Sequence, residues 1–126
     1  MSNSIAQAYK STSRLGESPD IGWLLSGIRG LQTYARKAIR ALRDNDIPTR
    51  LDATARAADL LVFLQNITAS DSGAELGQRL IVVYTNLHIQ LVNANSGMSE
   101  SLYRDFLEQC SELEALIISL QEHERS

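Results

Sequence analysis

From residue 21 to residue 120, apolar positions recur at spacings of three and four, the period of α-helices that bury one face. The segment from Ser72 to Asn95 shows it most clearly: Leu76, Leu80, Val83, Tyr84, Leu87, Leu91 and Ala94 fall on one stripe. Ser72 and Glu75 have the spacing of a capping box at its start. Val82 and Ile89 lie one heptad apart on the opposite face, where a helix serving a single core would carry charge. That outer apolar strip calls for a partner.

Three more helices follow from the same pattern. Ser18-Pro19-Asp20 reads as a helix start, with a capping serine, a proline suited to the first turn and an aspartate near the positive pole of the dipole. The helix it opens is predicted to reach Arg43, with Ile21, Leu24, Leu25, Ile28, Leu31, Ala35, Ala38, Ile39 and Leu42 inward. Gly22, Gly27 and Gly30 weaken it by about 1 kcal/mol each relative to alanine, so they are expected to permit close helix contact or a bent start. The turn Asp44-Asn45-Asp46-Ile47-Pro48 ends it. A second helix is predicted from about Thr49 to Ile67, with an apolar arc roughly twice the ordinary width. One strip is Leu51, Ala55, Ala58 and Val62; another is Ala53, Ala57, Leu60, Leu64 and Ile67, with Leu61 between them. Asn95-Ser96-Gly97 closes the third helix, the glycine suiting a left-handed exit. The fourth carries Leu102, Phe106, Cys110, Leu113, Ile117 and Leu120 to about Gln121, after which the tail is expected to fray.

Four helices of this length joined by short turns predict an all-α, antiparallel four-helix bundle over residues 18–126. Residues 1–17 lack a helical stripe but hold Ile5 and Tyr9, so they are expected to form an N-terminal arm, flexible or docked on the bundle. A chain of 126 residues fits one domain. No apolar run approaches the roughly 18 residues of a membrane span, the start does not read as a secretory signal, and the lone Cys110 cannot form an internal disulfide. These features predict a cytoplasmic protein with no membrane insertion. The net charge of −3 argues against nucleic acid.

Catalytic raw material is scarce. His88 sits at the edge of the third helix's stripe and His123 in the tail, there is no Glu-x-x-His pair for a di-iron bundle, and no cysteine and histidine cluster for zinc. Gly27 and Gly30 lack the lysine and hydroxyl of a phosphate loop. Glu108, Glu112 and Glu114, like the basic stripe of Arg29, Arg36, Arg40 and Arg43, read as solvated faces. The expectation is a protein with no enzymatic activity, cofactor or metal.

Taken in order, Ala8-Tyr9-Lys10-Ser11-Thr12-Ser13, Ser18-Pro19-Asp20, Asp44-Asn45-Asp46, Arg56-Ala57-Ala58-Asp59-Leu60-Leu61 and the third-helix letters Glu75, Leu80, Tyr84, Leu91, Ala94 and Asn95 form one series. The series resembles the flagellin export chaperone family, FliS, over nearly the whole chain. Gly27 to Leu31 stand where that family usually has Leu-Tyr-Asp-Gly-Ala, Ile117 replaces a common tryptophan, and Gly77 replaces an alanine, which marks a diverged member. The resemblance implies a cytoplasmic chaperone that binds the disordered C-terminal segment of flagellin, prevents premature polymerisation and presents the subunit to a flagellar export gate component. It also implies an N-terminal segment, here Ile5 and Tyr9, that can occupy the client surface. A helix-forming client needs an apolar groove, and the candidates are Leu60, Leu64 and Ile67 of the second helix with Val82 and Ile89 of the third. A homodimer contact would cover the same strips, and a helical adaptor or chaperone for another secreted protein would use the same arcs.

Overall fold

The structure, a computed structural model, describes residues 21–71 and 75–125. The expected caps at Ser18 and Ser72, and the arm with Ile5 and Tyr9, lie outside the described residues. Helices α1 (Ile21–Arg43), α2 (Ile47–Asp71), α3 (Glu75–Ser96) and α4 (Glu100–Arg125) follow one another. Each packs against its neighbours in sequence, and α1 packs against α4, while the diagonal pairs meet only through side chains, as where Thr54 of α2 meets Tyr103 of α4. The described residues therefore form an all-α four-helix bundle with α1, α2, α3 and α4 at the corners of a square.

The inward stripes of α1 and α3 fall where their spacing puts them, except that the Leu76 side chain lies outside the described residues. Ile21, Leu24, Leu25, Ile28, Leu31, Ala35, Ala38 and Ile39 of α1 are buried against Leu80, Tyr84, Leu87, Leu91 and Ala94 of α3 in one cluster, with Leu42 and Val83 half-buried at its edge. In α4, Phe106, Cys110, Leu113, Ile117 and Leu120 join that core, but Leu102 is exposed and Tyr103 is buried in its place. The tyrosine hydroxyl explains the exchange, since it lies 2.8 Å from Thr54 Oγ1 on α2. The helix also continues to Arg125 instead of fraying after Gln121, because no glycine or proline interrupts the chain there and glutamate and arginine are good helix formers.

Both turns at one end of the bundle share a design. Asn45 and Met98 have positive φ angles of 55° and 46°. Around them, Asp46 N donates to Ala41 O and Asn45 N to Leu42 O, just as Ser99 N donates to Ala94 O and Met98 N to Asn95 O. These are paired 6→1 and 5→2 bonds of a Schellman termination. The left-handed residue after α3 is thus Met98, one position beyond the glycine expected there. In each turn the next residue caps the following helix: Asp46 Oδ1 accepts from Thr49 N at 3.2 Å, and Ser99 Oγ accepts from Leu102 N at 3.1 Å. Accordingly α2 begins at Ile47, earlier than its expected start near Thr49, and Pro48 occupies the first turn, where its missing N–H costs nothing.

Candidate docking surface

Between Leu80 and Met98 the chain has no Asp, Glu, Lys or Arg. Of the side chains in that stretch, Val82 is 60% exposed, Ile89 55% and Val92 49%. Valine and isoleucine at these spacings form a ridge along the outside of α3, with Thr85 folded back onto Ile81 O at 2.9 Å. At 1.5 Å per residue the uncharged face is about 25 Å long. Scattered exposed apolar residues are ordinary on a soluble protein, but a continuous strip without charge is the composition of an interface core.

The neighbouring edge of α2 extends this face. Gln65 Nε2 donates to Thr85 Oγ1 at 3.3 Å, and Arg50 Nη1 donates to Asn95 O at 3.0 Å and Asn95 Oδ1 at 2.9 Å. These two ties fix α2 antiparallel to α3, with Val62 near the level of Thr85 and Leu51 near that of Ser96. Leu51, Ala55, Ala58 and Val62 follow at threes and fours on the α3 side, and all except the half-buried Ala58 are exposed. The two alanines leave a shallow floor between the α3 ridge and the larger Leu51 and Val62. Towards the turns the apolar surface runs on into the exposed Ile47 and Met98.

Of the three α2 residues expected to line the groove, Leu64 is not on the surface, and Leu60 and Ile67 are half-buried on the α1 side. Leu64 is fully buried in the core, and a Cβ on Gly27 of α1 would come within 2.7 Å of its Cδ2. Leu60 faces α1 in the same way, since a Cβ on Gly30 would come within 2.8 Å of its Cδ2. Ile67, seven residues on, shares that side and is half-buried against the core. Val82 and Ile89 do project from the surface, with Val92 as an unforeseen companion. The signal that could have separated the strips was present: glycines three apart in α1 admit bulky side chains from α2, which assigns Leu60 and Leu64 to α1 and leaves Leu51, Ala55, Ala58 and Val62 for α3.

A concavity of about 250 Å³ lies on the other side of α3, lined by Val83 and Asn86 and by Gln109, Glu112, Leu113 and Leu116 of α4. Ion pairs between helices lie along the α1–α4 seam, where Arg29 meets Glu114 and Arg43 meets Glu100, each at 2.8 Å. Arg43 and Arg104 hold the Glu100 carboxyl down to about 2, and Arg29 with Gln32 lowers that of Glu114. Burial pushes the Cys110 thiol and the Tyr84 phenol up to about 12, which leaves neither ionised near neutral pH. Among the described residues no group of histidine, cysteine and carboxylate side chains could hold a metal. The arrangement is suited to holding an apolar segment rather than to bond chemistry.

Residues 1–116 match the family model of the flagellar protein FliS. The chain belongs to the FliS family. Membership places it with the chaperones of flagellum biogenesis, a family not known for enzymatic activity. No relative among curated proteins matches the sequence. No helix in the described residues is long and apolar enough to cross a membrane.

Proposed function

We propose that this chain is a cytoplasmic export chaperone that receives the C-terminal segment of flagellin on the α2–α3 face, keeps it from polymerising prematurely and passes it to a component of the flagellar export gate. The observation that carries the reading is the uncharged outer surface of α3, with Val82, Ile89 and Val92 exposed along it. An unfolded client loses conformational entropy on docking and needs apolar burial to offset that loss. A helix laid over the alanine floor of α2 would cover Val82, Ile89, Val92, Leu51 and Val62 together, in the helix-in-groove mode. The N-terminal segment with Ile5 and Tyr9 competes for the same face in this scheme, and Tyr9→Ala alters handover of the client more than folding.

Calorimetric titration with a synthetic peptide ending at the natural C-terminus of flagellin tests the assignment. Val82→Asp and Ile89→Asp are each expected to weaken binding by about tenfold or more, because each removes an apolar contact worth about 1.5–3 kcal/mol and puts a charge under the client. Helical content should stay at the wild-type level, as both side chains face solvent. Lys37→Ala, on the outer face of α1, serves as the control. Wild-type affinity in both aspartate variants would remove α3 from the client site.

A further inference from the structure

Arg50 is the chain's one buried arginine among the described residues, at 7% exposure, and it stands where the uncharged face ends. Four other arginines, Arg29, Arg43, Arg56 and Arg104, lie within 2.8–2.9 Å of a carboxylate. Arg50 forms no ion pair among the described residues. Its Nη1 donates to the carbonyl and side-chain oxygens of Asn95, and the negative pole at the end of α3 supplies part of the compensation a buried cation requires. Asn95 Oδ1 is in turn 3.5 Å from the Tyr103 hydroxyl, which meets Thr54. This network fixes one edge of the guanidinium and leaves Nε and Nη2 without a hydrogen bond to the described residues. A planar donor fork held by one nitrogen is prepared for a bidentate carboxylate on its free edge.

We infer that Arg50 receives the terminal carboxylate of the docked client segment, so that the client lies parallel to α3 with its carboxyl end at the Asn45–Asp46 and Met98–Ser99 turns. The inference rests on the proposed client and adds its polarity and its anchor. Charge complementarity selects this end group. Along the α3 face no other Lys or Arg is available from Leu80 to Met98, and Arg50 lies at one extremity of the strip, where only the end of a docked segment can meet it. A free carboxylate is the charge that a C-terminal segment brings to its own end. The client helix adds its negative pole to the same cation. The opposite orientation would bring an amino-terminal positive pole to the guanidinium.

The test compares two synthetic flagellin C-terminal peptides, one with the free carboxylate and one amidated, by calorimetry on the full-length wild-type chain and on Arg50→Gln. Wild type is expected to bind the amide at least about tenfold more weakly than the acid, and Arg50→Gln is expected to bind the two alike. Equal binding by wild type would overturn the carboxylate anchor while leaving the client reading intact. An equal loss in both proteins would place the carboxylate on another cation and overturn the role of Arg50. Binding of neither peptide would reject the client reading and this inference with it. Should Arg50→Gln fail to fold, the Met98 methyl resonance of the wild-type chain decides. A spin label beside the carboxyl end of the acid peptide should broaden the Met98 signal, and a label at the amino end should not. The reverse pattern would overturn the proposed polarity.

Discussion

Gly27 and Gly30 look alike in sequence and differ in what stands above them. Each sits on the α2 side of α1, and a Cβ would meet Leu64 Cδ2 at 2.7 Å in one case and Leu60 Cδ2 at 2.8 Å in the other. Leu64 is sealed in the core, whereas Leu60 is half-buried and can swing towards solvent. Alanine gains about 1 kcal/mol of helix propensity at either position. At Gly27 that gain is outweighed by overpacking, which costs about 1–3 kcal/mol in a filled core. Urea denaturation followed by circular dichroism should therefore show Gly27→Ala destabilised by about 1 kcal/mol and Gly30→Ala unchanged or more stable by up to about 1 kcal/mol. Matching losses at both positions would mean that Leu60 is as fixed as Leu64, and that the α1–α2 seam closes on both.

At the scale of the element, α2 is the helix that touches everything. Its Ala53, Ala57, Leu61 and Leu64 enter the core, its Leu60 and Ile67 lean towards α1, and its Leu51, Ala55 and Val62 face outward beside α3. Leu64→Asp is expected to unfold the bundle, since it buries an unpaired carboxylate among apolar neighbours at a cost above about 4 kcal/mol. Val62→Asp, two residues earlier, should keep the helical signal and the cooperative thermal transition. A folded Leu64→Asp variant would return that residue to the candidate surface. The contrast also shows why the sequence revealed some elements and not others. In α1 and α3 one apolar stripe faces the core, so spacing alone picked the buried residues. In α2 the apolar residues surround the helix, and the period tells which of them share a side without telling which side meets which neighbour. That choice comes from tertiary partners: the glycines of α1, the Gln65–Thr85 bond and the Arg50–Asn95 bonds. The Val82 and Ile89 half of the face was legible because neighbouring residues assign α3's inner stripe without ambiguity. Arg50 was illegible because nothing in a linear pattern announces a buried cation.

Across the whole molecule, the ion pairs that join two helices lie on the α1–α4 side, with Arg56–Asp52 a pair within α2, and the uncharged outer face of α3 lies on the α2–α3 side. Glu100, held by Arg43 and then Arg104, has its carboxyl down at about 2, and Glu114, held by Arg29 and Gln32, is also lowered. For a carboxylate lowered by folding, the stabilising contribution is fully present above its unfolded value, near 4.3 for glutamate, and disappears as pH falls through the folded value. The α1–α4 seam should therefore weaken as the solution is taken from pH 5 towards pH 2. Both pairs are largely solvated, so the effect is modest and further reduced by salt. The melting temperature of Glu100→Gln/Glu114→Gln should lie below that of wild type at neutral pH and fall less steeply than wild type between pH 5 and pH 2. Parallel pH profiles for the two proteins would show that other carboxylates govern acid unfolding. From Leu80 to Met98 the α3 face carries no carboxylate to titrate, so the acid loss set by Glu100 and Glu114 falls on the seam that holds α1 to α4 and leaves the outer face of α3 unchanged.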